Sequence, residues 1–152
     1  MRPLLKPVLT TLLLIFTLTA AAQEIGYWRA SSQVARSITC DISFSTERLT
    51  LNLLTFPIAR SRALTPAEIA GAFNPDPGAP VAGSLYRLDI SASQKFLRKN
   101  TLCGTDETKW MATYISGKSL VIAFFSDDKP PVLTHEALAD STTLCGIFSY
   151  VR

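Results

Sequence analysis

His135 is the single imidazole of this chain, and Cys40, Cys103 and Cys145 are its three thiols. Nucleophilic catalysis by serine or cysteine needs an imidazole held beside the nucleophile, and no nucleophile motif accompanies His135, which falls in a loop or loose helical turn. Its plainest reading is a solvated surface residue; hydrolysis or pH sensing is the competing one. Zinc requires His and Cys ligands clustered at short spacing, which one histidine and three separated cysteines do not supply. No metal or cofactor is therefore expected. Acid–base work by paired carboxylates has two candidates, Asp106-Glu107 and Asp127-Asp128. Both pairs lie in loops beside lysines, and adjacent residues on a strand point to opposite faces, so they read as solvated turn residues. The glycines form no phosphate-cradling motif. Lys95-Phe96-Leu97-Arg98-Lys99 gathers positive charge around an aromatic. Lys95 and Arg98 are thus candidates for a phosphate or polyanion, against the commoner meaning of a solvated connection.

Recognition is better represented than catalysis. Tyr27, Trp28, Trp110, Tyr114 and Tyr150 are amphipathic aromatics of the kind enriched in interfaces, although core packing explains such residues equally well. Trp28 and Trp110, with Lys118 in a turn, complete the set of candidate binding residues.

These groups must be positioned by a small domain. The chain has 152 residues and 47% hydrophobic content. A short basic stretch, residues 1–6, precedes a 16-residue apolar run that holds four threonines and closes on Ala20-Ala21-Ala22. That is the layout of a secretory signal peptide cut before Gln23, and the run is shorter than the roughly 20 residues needed to span a bilayer. Residues 1–22 are therefore expected to be a leader and residues 23–152 one β-rich domain, periplasmic or secreted, with no membrane span of its own. Arg2 and Lys6 fall in the leader, so the remainder carries 13 Lys/Arg against 12 Asp/Glu. That balance argues against nucleic acid as a partner and leaves a protein or small ligand of unknown identity.

An oxidising compartment makes one disulfide from three cysteines. Cys103 and Cys145 share the tripeptide Leu-Cys-Gly, each before a strand-like run, whereas Cys40 sits at an apolar position of an alternating segment, residues 38–44. Cys103 is accordingly paired with Cys145, and Cys40 is expected as a buried thiol beside Ile38, Ile42 and Phe44. On the chain-entropy argument the bridge is worth roughly 3 to 5 kcal/mol.

Period-2 alternation dominates residues 23–152 and predicts half-buried antiparallel strands. Residues 38–44 and 47–56 read as a hairpin, with Leu49, Leu51 and Leu53 on one face. Residues 84–90 and 108–115 follow, and then Ser116-Gly117-Lys118 turns into residues 120–125, a continuous apolar run expected to be covered on both faces. If it were not, Val121, Ala123 and Phe125 would form an exposed patch. Residues 146–151 close the chain, and residues 26–30 open it. One helix signal is strong: Thr65 as cap, Pro66 at the first position, Glu68 to complete a capping box, and Leu64 with Ile69 as a staple. A weaker helical turn falls at residues 134–139. Six to eight short strands with one or two short helices predict an all-β, mainly antiparallel small barrel or sandwich.

Gly26-Tyr27-Trp28-Arg29, Leu102-Cys103-Gly104, Phe125-Ser126 with Pro130-Pro131, and the terminal Cys145-Gly146-Ile147-Phe148-Ser149-Tyr150 together resemble a group of small exported proteobacterial proteins of uncharacterised function. The resemblance implies export and a Cys103–Cys145 bridge, and no activity. Cys40 departs from that pattern. Overall size and the Ser116-Gly117-Lys118 turn are similar to the small periplasmic lysozyme inhibitors, disulfide-bearing antiparallel barrels that plug an enzyme cleft with a loop. That similarity implies inhibition of a cell-wall hydrolase with Lys118 in the inhibitory loop. Three functions follow from the sequence: a non-enzymatic binding domain first, then such an inhibitor, then a hydrolase using His135 or a carboxylate pair.

Overall fold

A computed structural model describes residues 23–79 and 82–152. The expected leader, residues 1–22, lies outside the described residues. Eight strands follow one another around a closed antiparallel barrel: β1 (Gly26–Ala30), β2 (Ile42–Phe44), β3 (Arg48–Leu51), β4 (Leu54–Ala63), β5 (Ala82–Ile90), β6 (Thr108–Ser116), β7 (Ser119–Phe125) and β8 (Leu144–Val151). Of the two β architectures, the barrel is the one formed, and closure leaves no unpaired sheet edge. β1 completes it by dividing its length. Gly26 to Trp28 pair with β2, while Arg29 and Ala30 pair with β8.

Alternation along each strand sends every second side chain inward, and the register stacks these residues across strands: Ile42 opposite Leu51, Tyr86 opposite Met111, Ile122 opposite Phe148 and Leu120 opposite Tyr150. They form the main core with Trp28, Leu49 and Phe124. Each such side chain removed from water contributes about 1.5–3 kcal/mol. A second cluster covers the outside of β5, β6 and β7, where Leu85, Ala112, Ala123 and Phe125 meet Leu64, Ile69 and Leu133. The apolar run in β7 is thus covered on both faces, with Ala123 and Phe125 almost fully buried. No exposed patch forms there.

Short helices lie between the strands: α1 (Gln33–Ile38), α2 (Pro66–Phe73) and α3 (His135–Ala139). α2 starts where the sequence indicates. Thr65 Oγ1 accepts from the Glu68 amide, and Glu68 Oε1 accepts from the Thr65 amide at 3.0 Å. Arg62 grips the same carboxylate with both terminal nitrogens, at 2.6 and 2.8 Å, and holds it down to about 2. Gly71 is more than a weak helix former here. A β-carbon at that position would sit 2.5 Å from the Leu133 carbonyl oxygen, so glycine lets α2 pack directly on the loop before α3.

Two expectations are corrected. Residues 38–44 are not one strand: Gln33–Ile38 is helical, Thr39 ends the helix, and only Ile42–Phe44 is extended. Ser32 Oγ accepts from the Ala35 amide as the helix cap, and Val34, Ala35 and Ile38 satisfy helical as well as alternating spacing. Cys40 therefore leaves the core. It takes a left-handed turn at φ +54° and lies half-buried at the surface as a free thiol. Residues 47–56 are likewise divided by a two-residue turn at Asn52 and Leu53, with φ of +46° and +68°. Leu53 projects from that turn at 94% exposure instead of joining Leu49 and Leu51. A two-residue hairpin of this type, I′, needs positive φ at both positions, which favours Asn-Gly; Asn-Leu carries half of that signal.

Candidate functional site

The barrel interior is packed. Trp28, Tyr150, Phe124 and Phe148 are at most 1% exposed within it. The upper end, where β1 finishes and β8 begins, is closed by α1, by Phe96 and Leu102, and by Cys103 and Cys145, which come to disulfide distance with Cα atoms 4.8 Å apart. Thr39 and Tyr150 join α1 to the core through a hydroxyl pair at 2.6 Å.

The sequence candidates do not assemble into one site. Trp28 is fully buried, its Nε1 donating to the Glu24 carbonyl at 2.8 Å and the Arg152 guanidinium stacked 4.3 Å over its ring. Trp110 lies on the far outer wall, under the Arg87 guanidinium at 5.2 Å, with an indole N–H that has no hydrogen-bond partner among the described residues. Tyr114, on the same wall, stacks on Phe73 at 5.7 Å. Lys95 and Arg98 are exposed at the upper end, flanking a Phe96 that turns inward against Phe56. Lys118 is exposed at the opposite end, in the β6–β7 turn. His135 is exposed as the first residue of α3. Both acidic pairs do converge, on a shallow recess around Lys109. Its ammonium contacts Asp128 and lies 3.6 Å from Glu107, while Asp127 accepts from Thr143 at 2.6 Å. Among the described residues no three His, Cys, Asp or Glu side chains are placed to hold a metal, and no helix is long and apolar enough to cross a membrane.

A groove of about 880 Å³ lies on the outer wall across β1, β2 and β3. Its floor is the outward row Tyr27, Ser43 and Thr50, set side by side by the strand register. Arg29, Arg36, Cys40 and Asp41 line it toward α1, and Leu53 lines it from the β3–β4 turn. Asp41 organises this wall. It accepts from the Tyr27 hydroxyl and, at 2.9 Å, from the Ala30 amide, two bonds that keep its carboxyl below its ordinary range. The same contact raises the Tyr27 phenol. Ala30 needs that bond because β1 changes partner near this point, from β2 to β8. Arg29 and Arg36 form no ion pair within 4.0 Å among the described residues; Arg36 Nε donates to the Ala30 carbonyl at 3.4 Å and the charge of Arg29 helps hold the Asp41 carboxyl down, so the groove presents two cations beside an exposed leucine and tyrosine. Arg29 and Leu53 carry no sequence signal for this. Asn52, a turn former before a leucine, was the one available cue.

Among the described residues one carboxylic side chain is fully buried. Glu24, just before β1, is 0% exposed at the lower end of the barrel. Burial raises its carboxyl, opposed by hydrogen bonds from Thr113 and Tyr86 and by the charge of Arg60. Sequence reasoning missed it, because nothing local distinguishes a glutamate next to an expected cleavage point.

No protein-family model, curated protein or solved structure matches this chain.

Proposed function

We propose that this protein is an exported, non-enzymatic binding domain that takes its partner or ligand in the groove across β1, β2 and β3. The observation that carries this reading is the outer groove rimmed by Leu53 at 94% exposure, on a barrel whose interior is filled by Trp28, Phe124, Phe148 and Tyr150. A leucine at φ +68° gives up stability that glycine would recover, and such strain persists where a surface serves another purpose. The chemistry of the groove suits an amphipathic ligand with an acidic group: apolar contact with Leu53 and Tyr27, charge contact with Arg29 and Arg36. The expected leader and the Cys103–Cys145 pair support placement outside the cytoplasm.

Leu53→Gly separates fold from function. It should raise the unfolding free energy by about 0.5–1 kcal/mol, because the left-handed position suits glycine. It should also remove the anchor. Immobilised wild type is expected to retain a defined component from an envelope extract of the native host, and the Leu53→Gly protein to lose it. Retention of nothing by the wild type, or of the same component by both, would remove the groove reading.

The β6–β7 turn favours a second reading, inhibition of a cell-wall hydrolase such as lysozyme. Gly117 takes φ +58°, and the Arg152 amide donates to the Lys118 carbonyl at 3.0 Å, so Lys118 is presented on a fixed hairpin. On this reading micromolar protein slows lysozyme, and Lys118→Ala weakens inhibition by about tenfold, the scale of a single interfacial anchor. Unslowed lysozyme would dispose of it.

A further inference from the structure

Glu24 is fully buried although it belongs to no strand. The backbone reaches it through Gly26, whose φ of +128° is open to glycine and strained for other residues, so the chain bends from the start of β1 under the lower end of the barrel. There the carboxylate is met on both oxygens. The Tyr86 hydroxyl donates to Oε2 and the Thr113 hydroxyl to Oε1. Tyr86 and Thr113 sit on the adjoining strands β5 and β6, exposed to 3% and 0%. Ser84, also fully buried, accepts from Arg60 Nε at 3.1 Å and so holds a guanidinium of β4 on the same side.

Closing a barrel end requires bulk and apolar surface, and an aliphatic side chain would supply both without the desolvation that a carboxylate incurs. A pair of hydroxyl donors with a guanidinium beside them is instead the complement of a carboxylate. All four groups stand on strands of the closed sheet, whereas the carboxylate hangs from the segment before β1, which is fixed by the Trp28 indole N–H on the Glu24 carbonyl at 2.8 Å and by Arg152 on the carbonyl of the 44% exposed Ile25 at 3.3 Å. The receptor thus belongs to the sheet, and its occupant comes from outside it. We infer that Tyr86, Thr113, Ser84 and Arg60 form a carboxylate-binding socket at the lower end of the barrel, with Glu24 as its resident ligand. A short external carboxylate takes its place when that segment is withdrawn. The packed core above the socket admits the head group and excludes an acyl chain.

Glu24→Ala in the full chain empties the socket, and acetate then replaces the missing atoms one for one. The variant is expected to melt about 5 °C or more below wild type in sodium chloride, since the buried Tyr86 hydroxyl loses its acceptor and the Thr113 hydroxyl falls back on the Ser84 carbonyl at 3.2 Å. Sodium acetate at the same ionic strength should recover at least half of that loss, leave wild type unchanged, and act no differently from chloride once Tyr86→Phe and Thr113→Val are added. If Glu24→Ala does not fold in chloride, the same comparison is read as refolded yield on dilution from denaturant, where acetate is expected to restore folding. Acetate without advantage over chloride, or an advantage that survives Tyr86→Phe with Thr113→Val, overturns the socket.

Discussion

Trp28→Ala is expected to lower the unfolding free energy by about 3–5 kcal/mol, a large share of the 5–15 kcal/mol typical of a small domain. Trp28 is fully buried, so its removal leaves a cavity inside a closed barrel whose strands are tied to one another and have little freedom to collapse. Three further contacts go with it. The indole N–H leaves the Glu24 carbonyl, the Arg152 guanidinium loses the ring it covers, and the main core loses the residue that fills the start of β1. Trp28→Phe retains most of the volume and should cost about 1–2 kcal/mol, largely the lost hydrogen bond. Tyr27→Ala is the control. Tyr27, next to Trp28 in sequence, points outward at 59% exposure, and its loss should cost about 1 kcal/mol or less, the scale of its exposed hydrogen bond to Asp41. Denaturant unfolding of the three variants under oxidising conditions checks the order, and equal effects at positions 27 and 28 would contradict the inward assignment of Trp28.

Replacing both Cys103 and Cys145 by serine should cost about 4 kcal/mol on the chain-entropy argument, since the two are separated by 42 residues. The loss has a local component too. Both cysteines pack against the main core, and the bridge ties the loop before β6 to the start of β8 at the end that α1 covers. Serine leaves polar atoms in that setting. Cys40→Ser, at a half-buried surface position, should change stability by less than about 0.5 kcal/mol. Thermal melts with and without reductant distinguish these cases: reductant should depress the midpoint of wild type and of Cys40→Ser alike, and leave the double-serine variant where it was. A wild-type midpoint indifferent to reductant would contradict the stabilising role of the bridge.

Much of the scaffold was legible because its signals are short-range. Alternation in β5 and β6 concerns residues two apart, and the unbroken apolar run of β7 announces a strand covered twice. The α2 cap lies within four residues of chain, and all its parts are present in the structure. The same locality explains the errors. Val34, Ala35, Ile38, Ile42 and Phe44 fit a strand and a helix about equally over so short a stretch, and the decision fell to contacts beyond it: Ser32 to Ser149 at 3.1 Å, and Thr39 to Tyr150. Asn52 and Leu53 turn without a glycine because β4 must return alongside β3, which pairing, not local preference, imposes.

By itself, then, the chain specified an antiparallel β domain, the place of its best helix and the pairing of its two Leu-Cys-Gly corners. Closure into a barrel, the outer groove and the buried carboxylate were decided by tertiary structure. Glu24 meets Tyr86 and Thr113 across 62 and 89 residues of sequence, and the groove joins β1 to the turn at Leu53. The physical reason is one of range. Periodicity and caps act between neighbours along the chain, whereas a site on a closed sheet is made of residues that become neighbours only after every strand has found its register.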